Sequence, residues 1–195
     1  GKALEISPEH RPALESLDSL LVERGDHAAL LETLRRKVEI AETPAERVGS
    51  LMRIAELCEQ KLSDLPSAID ALEQVLNEHP SPAAFSGLER LYGKTERHGD
   101  LAALYERMIE ENVGNAKDVR HKLARVRMEN LGDAEAALDA LRVNLESGPH
   151  EDSVALLEAM LADEGHRLAA ASLLEPVFTQ QMKWPKVVEV IEARL

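Results

Sequence analysis

The sequence has 195 residues, about 1.3 times a roughly 150-residue domain, which predicts one domain or one run of repeats. Apolar residues make up 44% of it and aromatic residues only 3%, and leucine and alanine dominate over the β-branched residues, which argues against an all-β protein. The net charge of -13 repels phosphate backbones and anionic lipid headgroups, so we expect no nucleic-acid partner and no insertion into a membrane.

Helix starts recur along the sequence in one form, a hydroxyl residue followed by proline. Ser7-Pro8, Thr43-Pro44 and Ser81-Pro82 each place an N-cap hydroxyl before a proline at the first helical position, where the missing N–H costs nothing. Thr43 to Glu46 also forms a capping box, in which the Glu46 carboxylate is expected to accept a hydrogen bond from the Thr43 N–H.

Helix ends recur as well, as a glycine followed by a residue that caps the next helix. Gly25-Asp26, Gly99-Asp100 and Gly132-Asp133 each combine a glycine able to adopt left-handed backbone with an aspartate able to cap. Gly165-His166 takes the same place less well, because histidine is a poor cap. These positions predict tight turns between antiparallel helices.

Apolar residues between these marks recur every three to four positions, which is the spacing of one helix face. They predict about eleven antiparallel helices of ordinary length. The predicted pairs span residues 8–41, 44–78, 82–113, 116–147 and 151–181, with an unpaired last helix at 185–195. The register from 151 to 181 is ambiguous, and Pro176 is expected to kink or restart its helix. Trp184, just before the last helix, is expected to pack as a hydrophobic staple.

Matching segments recur at a fixed shift, which distinguishes a repeat array from an ordinary helical bundle. Residues 68–72 match residues 137–141 at a shift of 69, and residues 13–21 match residues 84–92 at a shift of 71. Two helices for about every 35 residues are typical of a helical solenoid. We therefore predict an all-α fold made of a single repeat array over residues 1–195.

The repeats resemble the tetratricopeptide family in their order of large, small and medium side chains. The family order is followed, with one extra residue in the turn, by Ile54-Ala55, Cys58, Ala68, Leu72, Val75 and Pro80. It is repeated by Leu123-Ala124, Ala137, Leu141 and Pro149. The intervening units lack the family's small residues, so the resemblance is to degenerate repeats. It implies a right-handed α-α superhelix, a TPR-like solenoid, whose first helices line a concave groove.

The two ends of the sequence lack the features of natural termini. Gly1 stands where an initiator methionine would, no signal segment follows it, and the residues from Val187 to Leu195 stop without a helix cap. We expect the sequence to be a segment of a longer chain, whose further residues would cover the apolar stripe of Val187, Val188 and Ile191. Left uncovered, this stripe predicts weak self-association at the C-terminal end.

The sequence contains no arrangement typical of catalysis or of metal binding. Most of its histidines lie beside glycine or proline at predicted helix ends, no two have metal-binding spacing on one helix, and no glycine-rich phosphate loop is present. Cys58, the only cysteine, permits no internal disulfide and is expected to be a buried apolar residue. We therefore expect no enzyme activity, no cofactor and no metal site.

Basic residues are concentrated in residues 117–127, where five cations accompany a single acid in an otherwise acidic chain. By the family resemblance, groove-lining residues flank the central apolar residue of each first helix. On that basis Arg90, Lys94, His121 and Arg125 are expected to bind an acidic peptide or a terminal carboxylate, with apolar contact from Met52 and Met128. The alternative is that these cations only pair with glutamates on neighbouring helices.

These features together favour a non-catalytic protein-interaction scaffold that binds a peptide or protein partner in its concave groove, because stacked repeats create an extended surface. A first alternative is a structural spacer or self-assembly element, whose ends rather than its groove make the contacts. A second alternative is a regulatory array that senses a ligand for an enzyme domain elsewhere in a longer chain.

Overall fold

The chain folds into eleven α-helices over the residues that its computed structural model describes, 10–194. They are α1 (Arg11–Arg24), α2 (His27–Glu39), α3 (Pro44–Leu57), α4 (Leu65–Glu78), α5 (Pro82–Lys94), α6 (His98–Glu110), α7 (Ala116–Glu129), α8 (Ala134–Glu146), α9 (Glu151–Met160), α10 (Arg167–Gln180) and α11 (Trp184–Glu192). A π-helical turn, Cys58–Leu62, continues α3. No strand occurs between residues 10 and 194, which confirms the predicted all-α class.

Within each unit, consecutive helices pack against each other and are joined by short turns, as in TPR-like helical repeats. The chain divides into two compact units, Gly1–Glu96 and Arg97–Leu195. The first unit contains α1 to α5, and the second contains α6 to α11. None of the described helices is long and apolar enough to cross a lipid bilayer.

The predicted hydroxyl caps form at two of their three sites. The side chains of Thr43 and Ser81 accept from the N–H groups three residues on, whereas Ser7-Pro8 lies outside the described residues. The capping box was wrong in one detail, because Glu46 Oε2 accepts from the Glu42 N–H, at 3.0 Å, rather than from Thr43. The carboxylate of Glu46 is also drawn toward Arg11 on α1.

The glycine–aspartate turns form at two of three predicted places. Gly25 and Gly132 both have a φ of 67°, and the aspartate after each one caps the next helix. At Gly99-Asp100 the prediction was wrong, because α6 already begins at His98. Here Glu96 adopts the left-handed backbone, with a φ of 54°, and the Asp100 carboxylate pairs with Arg97 Nε at 2.7 Å instead of capping.

Cys58 is fully buried at the start of the π-helical turn, as expected of an apolar residue. The last two helices differ from what the sequence predicted. The helix α10 runs unbroken through Pro176, so the predicted restart was wrong. Trp184 is 60% exposed rather than packed as a staple, because α11 turns Val190 and Val187 toward the core instead.

Candidate interaction grooves

The first unit carries an open groove whose walls come mainly from α1, α3 and α5. One cavity of about 340 Å³ opens between α1 and α3, and a second of about 280 Å³ opens between α3 and α5. Arg53 lines both of them. The remaining lining residues used below are Arg11, Glu15, Lys37, Glu46, Met52, Glu56, Glu59, Gln60, Leu72, Gly87 and Arg90. We call these two cavities the first-unit groove.

A buried carboxylate joins three helices at this groove. The Asp18 carboxylate on α1 accepts hydrogen bonds from both terminal nitrogens of Arg53 on α3, at 2.5 and 2.7 Å. It also accepts one from Nζ of Lys37 on α2, at 2.8 Å. The Arg53 hydrogen bonds hold the pKa of Asp18 below its usual value against the opposing effect of burial, and Lys37 lowers that pKa further. Asp18 therefore fixes the first helix pair against α3.

Two of the predicted groove residues meet in the cavity between α3 and α5. Met52 is half-buried there, and Arg90 lines the same cavity. The Arg90 guanidinium forms a two-point ion pair with Glu59 of the π-helical turn, with Nη2 at 2.8 Å from Oε2. This pairing with a glutamate of a neighbouring element is the alternative that the sequence left open for Arg90. Lys94 is exposed on α5 and has no ion pair within the described residues.

Glycine allows the close approach of two helices beneath this cavity. A Cβ atom at Gly87 of α5 would lie 2.7 Å from Cδ1 of Leu72 on α4. Leu72 is buried, so a side chain at position 87 would require the Leu72 side chain to shift within the core.

The second unit holds the other three predicted residues on or beside α7. His121 is half-buried, and its ring lies 5.9 Å from the ring of His150, the N-cap residue of α9. Burial lowers the pKa of His121 below its ordinary value, and the nearby His150 and Arg125 add to that effect against Asp152 and Asp118. Its Nδ1 is buried without a hydrogen-bond partner. A neutral His121 ring is therefore favoured.

Arg125 and Met128 have different surroundings in the second unit. Arg125 is exposed and has no hydrogen bond or ion pair within residues 10–194. Met128 is half-buried and packs against the apolar core formed around Leu141 and Leu157. One other cation of the basic stretch is already hydrogen-bonded, since Lys117 Nζ donates to the carbonyl oxygens of Ser147 and Gly148.

An aspartate, a histidine and a serine are linked in the second unit, in the order that a nucleophilic site would use. His150 Nε2 lies 3.0 Å from Asp118, and its Nδ1 lies 2.9 Å from Ser153 Oγ. Ser153 is fully buried, and its Oγ is also held by Asn144 Nδ2. The same Nδ1 accepts from the Ser153 N–H, so this arrangement caps α9 and leaves no reachable nucleophile.

In the part of the chain that the structure describes, no three side chains of histidine, cysteine, aspartate or glutamate are placed to hold a metal ion together. Cys58 stays buried, and burial, with a smaller effect of Asp64, raises the pKa of its thiol.

Asp18 was not predicted as a site residue, although its sequence position carried a signal. Asp18 lies one turn from Leu14 and close to Leu21 on an apolar helix face, where an unpaired carboxylate would be costly. Such a residue requires a cationic partner from another helix. The partner's identity, Arg53, depends on how α1 packs on α3 and is not contained in any local pattern.

Comparisons with known proteins identify similar folds at low identity. No family model matches the chain, and no curated protein sequence does. A crystal structure of MamA is 13% identical, with 91% of this chain and 91% of that chain covered and a TM-score of 0.45. The structure described as MamA MSR-1 C2 is also 13% identical, over 93% of this chain and 92% of that one, with a TM-score of 0.41. The TPR2AB domain of yeast Sti1, in a pHSP90 complex, is 16% identical over 99% of this chain and 79% of that one, with a TM-score of 0.38.

Proposed function

We propose that this chain is a non-catalytic protein-interaction scaffold that holds a peptide or protein segment against its first helices. The observation that carries the proposal is the first-unit groove, which is open to solvent and lined by side chains of α1, α3 and α5. Its α3–α5 cavity combines the flexible thioether of Met52 with polar groups at its edges. Concave sites with an apolar base and a few polar groups are where partner segments bind.

The second unit is proposed to contribute an acidic-segment site at Arg125 and His121, with Met128 as an apolar neighbour. The absence of a partner for Arg125 within residues 10–194 supports this, because a partner carboxylate would displace no internal ion pair there. In the first unit, Lys94 likewise has no ion pair within residues 10–194. At Arg90, an acidic group of the partner would have to compete with Glu59.

Site-specific photo-crosslinking tests the groove proposal. A photoreactive residue at Gln60, in the first-unit groove, is compared with the same residue at Gln74, which faces the separate cavity between α2 and α4. Illumination in a lysate of the source cells is expected to give a discrete adduct from position 60 and none from position 74. Equal labelling at both positions, or adducts from position 74 alone, would contradict binding in the groove.

Charge reversal tests the acidic-segment site in the second unit. Arg125→Glu is expected to weaken retention of a captured acidic partner about tenfold, since it replaces attraction by repulsion at an exposed pair. Arg24→Glu makes the same change of charge at the exposed end of α1 and is the control. Equal retention by the two variants would remove Arg125 from the site.

A second candidate function, self-assembly through the C-terminal end, is supported by one observation. Trp184, Val188 and Ile191 are all exposed on α11, and Met182 beside them is 74% exposed. An apolar group of this kind favours association. Sedimentation velocity is expected to show a concentration-dependent mass that Val188→Glu abolishes. A strictly monomeric chain at high concentration would eliminate this candidate.

A further inference from the structure

The N-terminus of α9 in the second unit is capped by an imidazole ring. Nδ1 of His150 accepts a hydrogen bond from the Ser153 N–H, at 3.3 Å. A ring nitrogen can accept only while it carries no proton, whereas the amide or hydroxyl oxygen of the usual cap residues accepts at any pH. This cap therefore depends on the protonation state of one side chain.

A chain of hydrogen bonds fixes where the proton of the neutral ring sits. Asn144 on α8 donates from Nδ2 to the Lys117 carbonyl, at 2.7 Å, and to Ser153 Oγ, at 3.1 Å. The Ser153 hydroxyl accepts from this amide, so its own proton points to His150 Nδ1, 2.9 Å away. Nε2 of the ring then carries the ring proton and donates it toward Asp118 on α7, at 3.0 Å. One polarised chain thus links α8, α9 and α7.

Protonation of the ring would break this chain at Nδ1, the nitrogen that faces two donors of Ser153. The Ser153 N–H would lose its acceptor, and a cation would stand at the positive end of the α9 helix dipole. Water does not readily replace the ring there, because Ser153 is fully buried. The ion pair with Asp118 survives, since it forms at Nε2 on the other side of the ring.

The charges around the ring act in both directions. Asp118 favours a charged ring, but only through an exposed carboxylate, which gives a weak ion pair. The ring of His121 lies 5.9 Å away and disfavours a second cation if it is itself charged. Asn144, the α8 side chain in the chain of hydrogen bonds, is neutral. The charged side chains on the elements that meet at the two rings are Lys117, Asp118 and Arg125 of α7 and Glu151 and Asp152 of α9.

We propose that His150 is a proton-released cap, in which protonation of Nδ1 in mild acid frees the first turn of α9 while Asp118 keeps the ring on α7. The device lies within the second unit and does not depend on the proposed function. It makes the order of the helix end beside His121 respond to pH.

NMR of the isotope-labelled full chain tests the proposal. The titration midpoint of the His150 ring is read from its Cε1 chemical shift. The protection of the Ser153 N–H against hydrogen exchange, relative to the rate of an unfolded peptide, is then compared one pH unit above and one below that midpoint. We expect the protection to fall about fivefold, the loss typical of a missing cap.

Two variants separate the cap from its surroundings. In His150→Asn the side-chain oxygen can still cap α9 but does not titrate, so the Ser153 protection is expected to be the same at the two pH values. In His121→Gln the neighbouring ring is removed and the cap is left in place. The fall in Ser153 protection is therefore expected to persist in this second variant.

Three results would overturn the proposal. Ring nitrogen shifts that place the proton of the neutral ring on Nδ1 would contradict the order of the hydrogen bonds. Unchanged Ser153 protection across the midpoint, or a ring that stays neutral at every pH at which the chain is folded, would show that no cap is released. An equal fall in His150→Asn would assign the effect to another group.

Discussion

Arg53 of α3 and Asp18 of α1 form a two-point ion pair in which the carboxylate is buried and the guanidinium reaches the surface of the groove. The pair has a structural and a functional side. It fixes the first helix pair on α3, and it occupies two of the five N–H donors of the Arg53 guanidinium. The stability of the first unit and the charge of its groove therefore depend on the same contact.

Replacing Asp18 by asparagine is expected to lower the free energy of unfolding by about 2 kcal/mol, because Arg53 and Lys37 lose a charge-assisted acceptor. The cost stays below that of a fully buried pair, since both cations reach solvent. Urea unfolding followed by circular dichroism measures the change. Glu15→Gln on the same helix is the control, and a loss of equal size there would contradict a specific role for Asp18.

The same contact predicts a pH dependence. Because the hydrogen bonds of Arg53 hold the pKa of Asp18 below its usual value, the ionised form stabilises the folded chain above about pH 3.9. That stability is lost as the pH falls through the lower pKa of the folded state. The stability difference between the wild type and Asp18→Asn is therefore expected to shrink below about pH 4. A difference that stays constant down to pH 2, in urea titrations, would refute this origin.

His121 gives the second unit an acid sensitivity of the same direction but at higher pH. Burial lowers the pKa of its ring in the folded chain, so the unfolded chain takes up the proton first, near pH 6.5. Stability is expected to fall as the pH drops below that value, and His121→Gln is expected to reduce the loss between pH 7.5 and pH 5.5. The matched substitution is His79→Gln, at an exposed position. An unchanged pH profile in His121→Gln would show that the ring accepts its proton without cost.

Two helical glycines are expected to respond differently to the same substitution. Gly49 of α3 has open space around it, so Gly49→Ala should stabilise the chain by about 0.5 to 1 kcal/mol through helix propensity. At Gly87 the new methyl group would meet Leu72, and repacking should cancel or exceed that gain. Thermal unfolding of the two variants measures the contrast. Equal stabilisation would show that α4 and α5 separate without cost.

Cys58 provides a probe of opening at the junction of α3 and the π-helical turn. Burial raises the pKa of its thiol and excludes reagents, so reaction with a thiol-specific dye should require local unfolding. We expect labelling in the folded chain to be on the order of a hundredfold slower than in urea. Comparable rates in the two conditions would place the thiol at the surface.

Local signals were sufficient to predict most of the helix boundaries. Thr43 and Ser81 cap their helices because a hydroxyl before proline specifies that geometry without help from distant residues. At Gly99-Asp100 the same kind of reasoning was wrong, since Glu96 supplied the left-handed residue three positions earlier. The choice between two competing local turns depends on how α6 packs, which adjacent residues do not encode.

The candidate site was harder to predict than the fold. Met52 and Arg90 line one cavity, and their role in binding a partner stays a prediction. Position along the helix could not show that Glu59 would neutralise Arg90, because the π-helical turn that carries Glu59 changes the register of the helix end. The prediction that Trp184 packs as a staple was wrong for a related reason, since packing on α10 decides which side of α11 faces the core.

The most direct test of groove binding is an NMR spectrum of the chain with labelled methionine methyl groups, recorded with and without the partner segment crosslinked at position 60. The five methionines sample the first-unit groove at Met52, the second unit at Met128, the core at Met108 and Met160, and the exposed C-terminal end at Met182. The account predicts that the Met52 signal shifts and the Met182 signal does not. A shift confined to Met182 would contradict it and assign the contact to the end of the array.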